Sequence, residues 1–254
     1  MRFSLYQEFY KLIHQKMVWI SSLVLLGLMV TTGFTIGYNE SKLLMTTCYD
    51  APDWIILILA VVGATFFSME FQNNAILTLI YKSANKRTVY FSKYIVILSY
   101  NILLHVIAMA FTTILWMTPL SRPVSWSTVY LYHQPLWENM LKTSAIDVLT
   151  TTFIISLIFL LSCLINNNAV VISVSLLMIF VGQFISASLL NGNKAVHILR
   201  WNPFNLTNLT RQYYNYATYV DTSHLSNVQL LCSTASYIVI FVTAGYLIFR
   251  KKRF

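Results

Sequence analysis

Few side chains in this sequence could do acid, base, nucleophilic or metal chemistry, and those few are scattered. The five histidines, His14, His105, His133, His197 and His224, fall in five separate segments. Neither a His-Glu-x-x-His zinc pair nor a Gly-x-Ser-x-Gly nucleophile turn occurs. There is no Gly-x-x-x-x-Gly-Lys-Ser/Thr loop, so the chain lacks the usual run of backbone amides that cradles a nucleotide phosphate. Cys48, Cys163 and Cys232 lie in different segments with no Cys-x-x-Cys spacing, which argues against a metal site or a disulfide framework. We expect no catalytic residue and no metal ligand.

His105 stands apart from this pattern. With Asn101 one helical turn before it, it lies inside a long apolar run, where an ionisable side chain is costly enough to be a functional suspect. His105 and Asn101 are therefore the residues expected on a transport path. The plainer expectation is that a carbonyl or hydroxyl of a neighbouring helix satisfies one neutral imidazole. Asp147 is read as lying at the outer margin of the next span, so no second acid or base is expected at the depth of His105, and no proton or ion relay.

The elements that must position these groups follow from composition. Of 254 residues, 57% are hydrophobic and 10% charged, against roughly 25% charged in a soluble domain. That leaves too little polar surface for a water-soluble globule, and the length suits one unit over 1–254. Crossing about 30 Å of hydrocarbon takes roughly 20 apolar residues. Stretches of that kind are Met17 to Tyr38, Trp54 to Met69, Tyr94 to Thr118, Val148 to Ile165, Ala169 to Leu190 and Val228 to Phe249. An unpaired amide in lipid costs several kcal/mol, so each must be a helix. The fold class expected is all-α, a polytopic membrane protein with six transmembrane helices. Asn166, Asn167 and Asn168 alone separate the fourth and fifth, which predicts a tight hairpin.

The formal charge of +9 is distributed at the ends of the apolar runs, which points to membrane lipid and not to nucleic acid. With both termini inside, the inner face collects Arg2, Lys11, Lys16, Lys82, Lys86, Arg87, Lys93 and the tail Arg250 to Arg253, while most acidic residues fall outside. The positive-inside rule therefore predicts cytoplasmic termini in a multi-pass protein of the cell membrane. Ahead of the first span, Phe3, Tyr6, Phe9, Tyr10, Ile13 and Met17 recur at helical spacing, with Gln7, Glu8, Lys11, His14 and Gln15 between them. This segment is expected to lie flat on the inner surface and not to be cleaved as a signal; the alternative is that it simply begins a long first helix. Two long outer connections, Pro119 to Asp147 and Asn191 to Asn227, are rich in aromatic residues, mostly as an interfacial belt.

Between the second and third spans, Glu70 is followed by the polar turn Gln72 to Asn74, the apolar run Ala75 to Tyr81, the basic Lys82, Lys86 and Arg87, and then Lys93. An amphipathic helix on the cytoplasmic surface is a device for docking a protein or lipid. In this layout the chain resembles the permease subunits of type 2 ABC exporters. The family's coupling-helix pattern is matched at Glu70, at Ile76, Leu77, Leu79 and Ile80, at Lys86 or Arg87, and at Lys93; it departs at Asn74 and Ala75, where Gly-Thr is usual, and at Ser83, where Pro is usual. Trp201-Asn-Pro-Phe-Asn205 is similar to the family's outer connection. The resemblance implies a coupling helix that docks a separate ABC ATPase through Glu70, Asn74, Ile76, Leu77, Ile80, Lys82, Lys86, Arg87 and Lys93. It also implies ATP and Mg in that partner, no cofactor on this chain, and a second permease subunit, identical or different. Small permeases of this kind look like those of Gram-positive bacteria that export bacteriocins, lantibiotics or other amphipathic peptides. An intramembrane enzyme, built on His105, Asn101 and Asp147, and a peptide-sensing receptor, built on the outer loops, are the competing expectations.

Overall fold

A computed structural model describes residues 2–72, 85–118, 124–191 and 195–252. Its helices are α1 (Arg2–His14), α2 (Lys16–Ile36), α3 (Ser41–Thr46), α4 (Ala51–Gln72), α5 (Lys86–Trp116), α6 (Leu136–Leu164), α7 (Asn168–Leu190), α8 (Val196–Leu199), α9 (Leu209–Tyr214), α10 (Tyr216–Ser223) and α11 (Asn227–Lys251). Six of them, α2, α4, α5, α6, α7 and α11, are long and apolar enough to cross a membrane. No strand forms among the described residues, as expected for an all-α polytopic protein.

Two spans start well before the apolar runs do, and local chemistry explains both. The side chain of Asn85 accepts from the Arg87 amide at 2.9 Å, a polar cap that starts α5 ahead of Tyr94. Pro135 precedes α6, and Glu138 in its first turn pairs with Lys142 at 2.7 Å. The latter pair stabilises a helix by a few tenths of a kcal/mol. The connection between α5 and α6 is accordingly shorter than Pro119 to Asp147, because Leu136 onward is helix. In the predicted hairpin, Asn167 accepts from the Ala169 and Val170 amides and so starts α7 directly after α6.

α4 and α6 bury most of their length and form the centre of the bundle, whereas α2, α7 and α11 bury less than a third of theirs. Near one end Phe67, Tyr90, Phe159 and Phe249 interlock, with Phe67 and Phe159 ring centres 4.5 Å apart. Gly245 admits Tyr90 here: a methyl group on the glycine would lie 2.6 Å from the tyrosine hydroxyl.

α1 is a helix in its own right, set off from α2 by extended Gln15 and tied to it by the Trp19 indole, which donates to the Ile13 carbonyl at 2.7 Å. Its buried face differs from the expected one. Glu8 and Leu12 face the bundle and are almost fully buried, while Tyr6, Tyr10 and Ile13 are exposed. The buried Lys93 ammonium of α5 pairs with Glu8 and draws this polar residue toward the bundle.

Candidate functional site

Sequence placed functional residues at both ends of the bundle, and both ends are built. At the first end Lys93 of α5 is fully buried, with its ammonium 2.9 Å from Glu8 Oε2 and 4.7 Å above the Phe66 ring. Glu8 Oε1 receives Lys11 at 2.8 Å. Lys93 thus binds α1 to α5 and offers no ammonium at the surface. Lys86 Nζ donates to the Arg250 and Lys252 carbonyls at 3.3 and 2.7 Å, and Lys252 Nζ reaches the Cys163 carbonyl at 3.1 Å and the Asn166 side chain. Ser68 donates to the Asn168 side chain at 2.6 Å. Both chain ends, the start of α5 and the α6–α7 turn therefore share one end of the molecule. Arg87 is exposed there, its guanidinium 5.9 Å from the Phe91 ring centre. Glu70 lies in the last turns of α4; Asn74, Ile76, Leu77, Ile80 and Lys82 lie outside the described residues.

The opposite end holds His105. Because α6 begins at Leu136, Asp147 falls eleven residues inside it, roughly 16 Å along the axis, as deep as His105 lies below the end of α5 at Trp116. The expectation that no acid shares the depth of His105 is therefore wrong. His105 Nε2 is 2.8 Å from Asp147 Oδ2, and both side chains are buried. His105 Nδ1 faces the Asn101 carbonyl at 2.9 Å; a carbonyl only accepts, which assigns a proton to Nδ1. One further proton lies between Nε2 and the carboxyl, on either partner. The expected carbonyl partner is present, but a carboxylate completes the site.

The network continues outward. Thr210 of α9 donates to Asp147 Oδ1 at 2.8 Å and meets the Thr150 hydroxyl at 2.8 Å. Asn101 accepts from Thr151 at 3.0 Å and donates to the Val148 carbonyl at 3.3 Å. Two spanning helices, α5 and α6, and the connection between α7 and α11 are therefore joined through His105, Asp147 and Asn101. The connection dips between the spans: Phe204 packs on Gly182, where a methyl group would lie 2.6 Å from the ring. Gly182 is two turns below the end of α7, roughly 12 Å. Asn202 to Ser186, at 3.1 Å, and Gln183 to Thr207, at 3.3 Å, hold the descent. Phe204 is thus inserted against α7, whereas Trp201 stays exposed.

Beside Asp147 opens a cavity of ≈ 380 Å³. Its polar lining includes Asp50, Asp53, Asp147, Gln183, Thr210 and Arg211, and its walls are apolar, among them Leu57, Ile179 and Phe180. Arg211 donates to Asp53 Oδ2 at 2.7 Å and to Gln183 Oε1 at 2.6 Å. The Asp53 charge in turn holds the guanidinium proton more tightly, against the opposing effect of burial. Asp50 arrives by an unusual route. Cys48, Tyr49 and Asp50 are all left-handed, with φ of 50°, 53° and 61°, a conformation that costs about 1–2 kcal/mol per residue. Fully buried Tyr49, whose amide donates to the Leu44 carbonyl at 2.7 Å, helps anchor the turn. Burial pushes the Asp50 carboxyl up to about 7, helped by the neighbouring Asp53 charge and opposed by Arg211. Burial likewise pushes the Cys48 thiol up to about 11.

Sequence reading singled out His105 and Asn101 here but missed Asp50, Asp53, Thr210 and Arg211. Only the helix-start signals at Pro135 and Glu138 would have revealed the depth of Asp147. The others meet through a left-handed turn and an inserted loop, for which no periodicity exists.

Residues 4–182 match the sequence profile of the family described as ABC-2 family transporter protein. No curated protein matches the chain. The profile match takes in α1 through most of α7, including both ties of Lys93 and the His105–Asp147 pair. With six apolar crossings behind it, the chain belongs to the ABC-2 transporter family and is a multi-pass membrane permease.

Proposed function

We propose that this permease is the membrane half of an ATP-driven exporter, powered by a separate ABC ATPase that binds ATP and Mg. One observation supports this reading above the rest: α1, the start of α5, the α6–α7 turn and the end of α11 are fastened together at the end where α4 leads into the 70–87 connection and α5 leaves it. A push on that connection reaches α1 through Lys93 and Glu8, and α11 through Lys86 and the tail carbonyls. Lysine and arginine collect at the same end, which by the positive-inside rule is the cytoplasmic one. The ATPase docks on the 70–87 segment, with Arg87 as its exposed cation. Two such permeases, identical or different, line the path. The cargo is an amphipathic peptide of the antimicrobial kind, and the outer cavity described above suits part of such a molecule.

The intramembrane-enzyme reading required buried polar groups to converge, and His105, Asn101 and Asp147 do. Yet both ring nitrogens of His105 and both carboxyl oxygens of Asp147 are already engaged, by each other, by the Asn101 carbonyl and by Thr210, and the group joins helices in the manner of a structural brace.

The test uses the permease co-expressed with its ATPase in lipid nanodiscs. Arg87→Glu is expected to lower the coupled ATPase rate several-fold while the complex still assembles. Sidedness is read with Arg87→Cys in a Cys232→Ser background and a membrane-impermeant maleimide. Labelling from the outside of intact cells would sink the proposal.

A further inference from the structure

We propose that the outer cavity binds a primary ammonium carried on an apolar chain, with the Asp50 carboxylate as its counter-charge. This names a cargo chemistry for the export reading and rests on that reading only for the direction of movement.

Three carboxylates reach the cavity, and two are already engaged. Asp53 holds Arg211, and Asp147 takes both His105 and Thr210. Asp50 is different: among the described residues no side chain donates a hydrogen bond to its carboxyl group. It sits where a strained left-handed turn delivers it, opposite the apolar walls of Leu57, Ile179 and Phe180. Each ligand class can be weighed against this lining. An anion would meet the Asp50 and Asp147 carboxylates, and a neutral apolar ligand would bury Asp50 without a partner. An ammonium satisfies the carboxylate by a charge-assisted hydrogen bond while its alkyl chain covers the wall. A volume of ≈ 380 Å³ is at the small end for a ligand site and suits a single aminoalkyl arm, not a whole peptide. The arm can come from a lysine-like side chain of a peptide or from an aminolipid headgroup.

The charges facing Asp50 set how pH acts. Asp53 comes from α4, Arg211 and Tyr214 from α9, and Asp147 from α6 with His105 of α5 behind it; Gln183 of α7 is neutral and Cys48 precedes in the same turn. Burial and Asp53 hold a proton on Asp50 until about pH 7. Only the ionised carboxylate recognises an ammonium, so binding strengthens as the pH rises through that value.

The experiment titrates the full-length permease in phosphatidylcholine nanodiscs with hexylammonium, using hexanol as the uncharged match and empty discs as the blank. Calorimetry is expected to show saturable hexylammonium binding near pH 8, about fivefold weaker near pH 6, and no saturable hexanol binding. Asp50→Asn should weaken the amine by roughly tenfold. Leu57→Trp fills the cavity and leaves every carboxylate in place, so it should abolish binding even if Asp50→Asn proves unstable. Equal affinity for hexanol, or hexylammonium binding unaltered in Leu57→Trp, overturns the site. Doping the discs with phosphatidylethanolamine separates the two sources: competition assigns the site to an aminolipid, and unchanged affinity assigns it to a soluble amine. Absence of amine binding by the unaltered permease with ATPase coupling intact would overturn the site and leave the export reading standing. Intact amine binding with no coupling would do the reverse.

Discussion

The two ends of the bundle are fastened by different chemistry. At the end that gathers the chain termini, long lysine side chains reach across gaps to carbonyls and to one carboxylate, so each tie joins a peripheral piece to the bundle. At the other end short side chains, His105, Asp147, Thr210 and Asn101, join elements already in contact, and Arg211 is the long side chain that ties there, to Asp53 and Gln183. A long flexible lysine loses more rotamer freedom when fixed than a threonine or asparagine does. Fixing the ties of the first end therefore costs more side-chain entropy than fixing those of the second. This division suits a machine pushed at one face whose other face must hold a shaped cavity.

The comparison breaks first at Asp147. Asp147→Ala leaves His105 Nε2 without its hydrogen-bond partner in a buried setting and removes the carboxyl oxygen that accepts from Thr210. Removing one member of such a pair costs about 3–5 kcal/mol, and the whole bundle should melt earlier, measured by thermal unfolding in nanodiscs. A melting point within a degree of the parent would show that the His105–Asp147 pair does not hold this end together. Asp147→Asn, which keeps an acceptor, should cost less than half as much.

Glu8→Gln tests the other half. Lys93 would keep a hydrogen-bond acceptor but lose its charge partner while remaining buried, a loss of about 2 kcal/mol. That loss should fall on α1 alone. Hydrogen exchange is expected to show faster exchange across residues 2–14 with α4 and α6 unchanged. Uniform loss of protection throughout the bundle would erase the distinction between ties and core.

A smaller effect is expected at Gly182→Ala. The added methyl group meets the Phe204 ring, and a ring is able to turn only as far as its neighbours permit. Overpacking of this kind costs about 1–3 kcal/mol. Here it should appear as faster protease cleavage between residues 201 and 214 before any global loss.

How much of this was legible in the sequence follows the same division. Hydropathy alone located the six crossings and the hairpin at Asn166 to Asn168, because each is a local property of the chain. Charge placement alone grouped Lys86, Arg87 and the Arg250 tail. The direction in which Glu8 points was not legible, since helical spacing ranks faces by polarity and cannot know that Lys93 waits across the gap. The His105–Asp147 pair escaped for another reason: apolar runs understate helices that begin with polar turns, so Asp147 was set at the margin when α6 had started at Leu136. Cys48 to Asp50 escaped entirely, because nothing in those residue types asks for three left-handed residues in succession.

The smallest predicted effect isolates that turn. Asp50 titrates near pH 7 in the folded protein against 3.8 ordinarily, so the folded state binds its proton more tightly than the unfolded chain does. Its contribution to stability is therefore complete below about pH 4 and disappears as the pH rises toward 7. Asp50→Asn is neutral throughout and removes this slope. The variant should match the parent near pH 4 and melt slightly higher near pH 8, by an amount that solvent screening at a partly exposed group keeps small. Arg211→Gln sharpens the point in the opposite direction: Arg211 lowers the proton affinity of Asp50, so without it the slope should extend to higher pH. If melting curves from pH 4 to pH 8 were parallel for parent and Asp50→Asn, the carboxyl would be at its ordinary value. The cavity beside Asp147 would then hold no uncompensated acid to set it apart from the lysine-tied end.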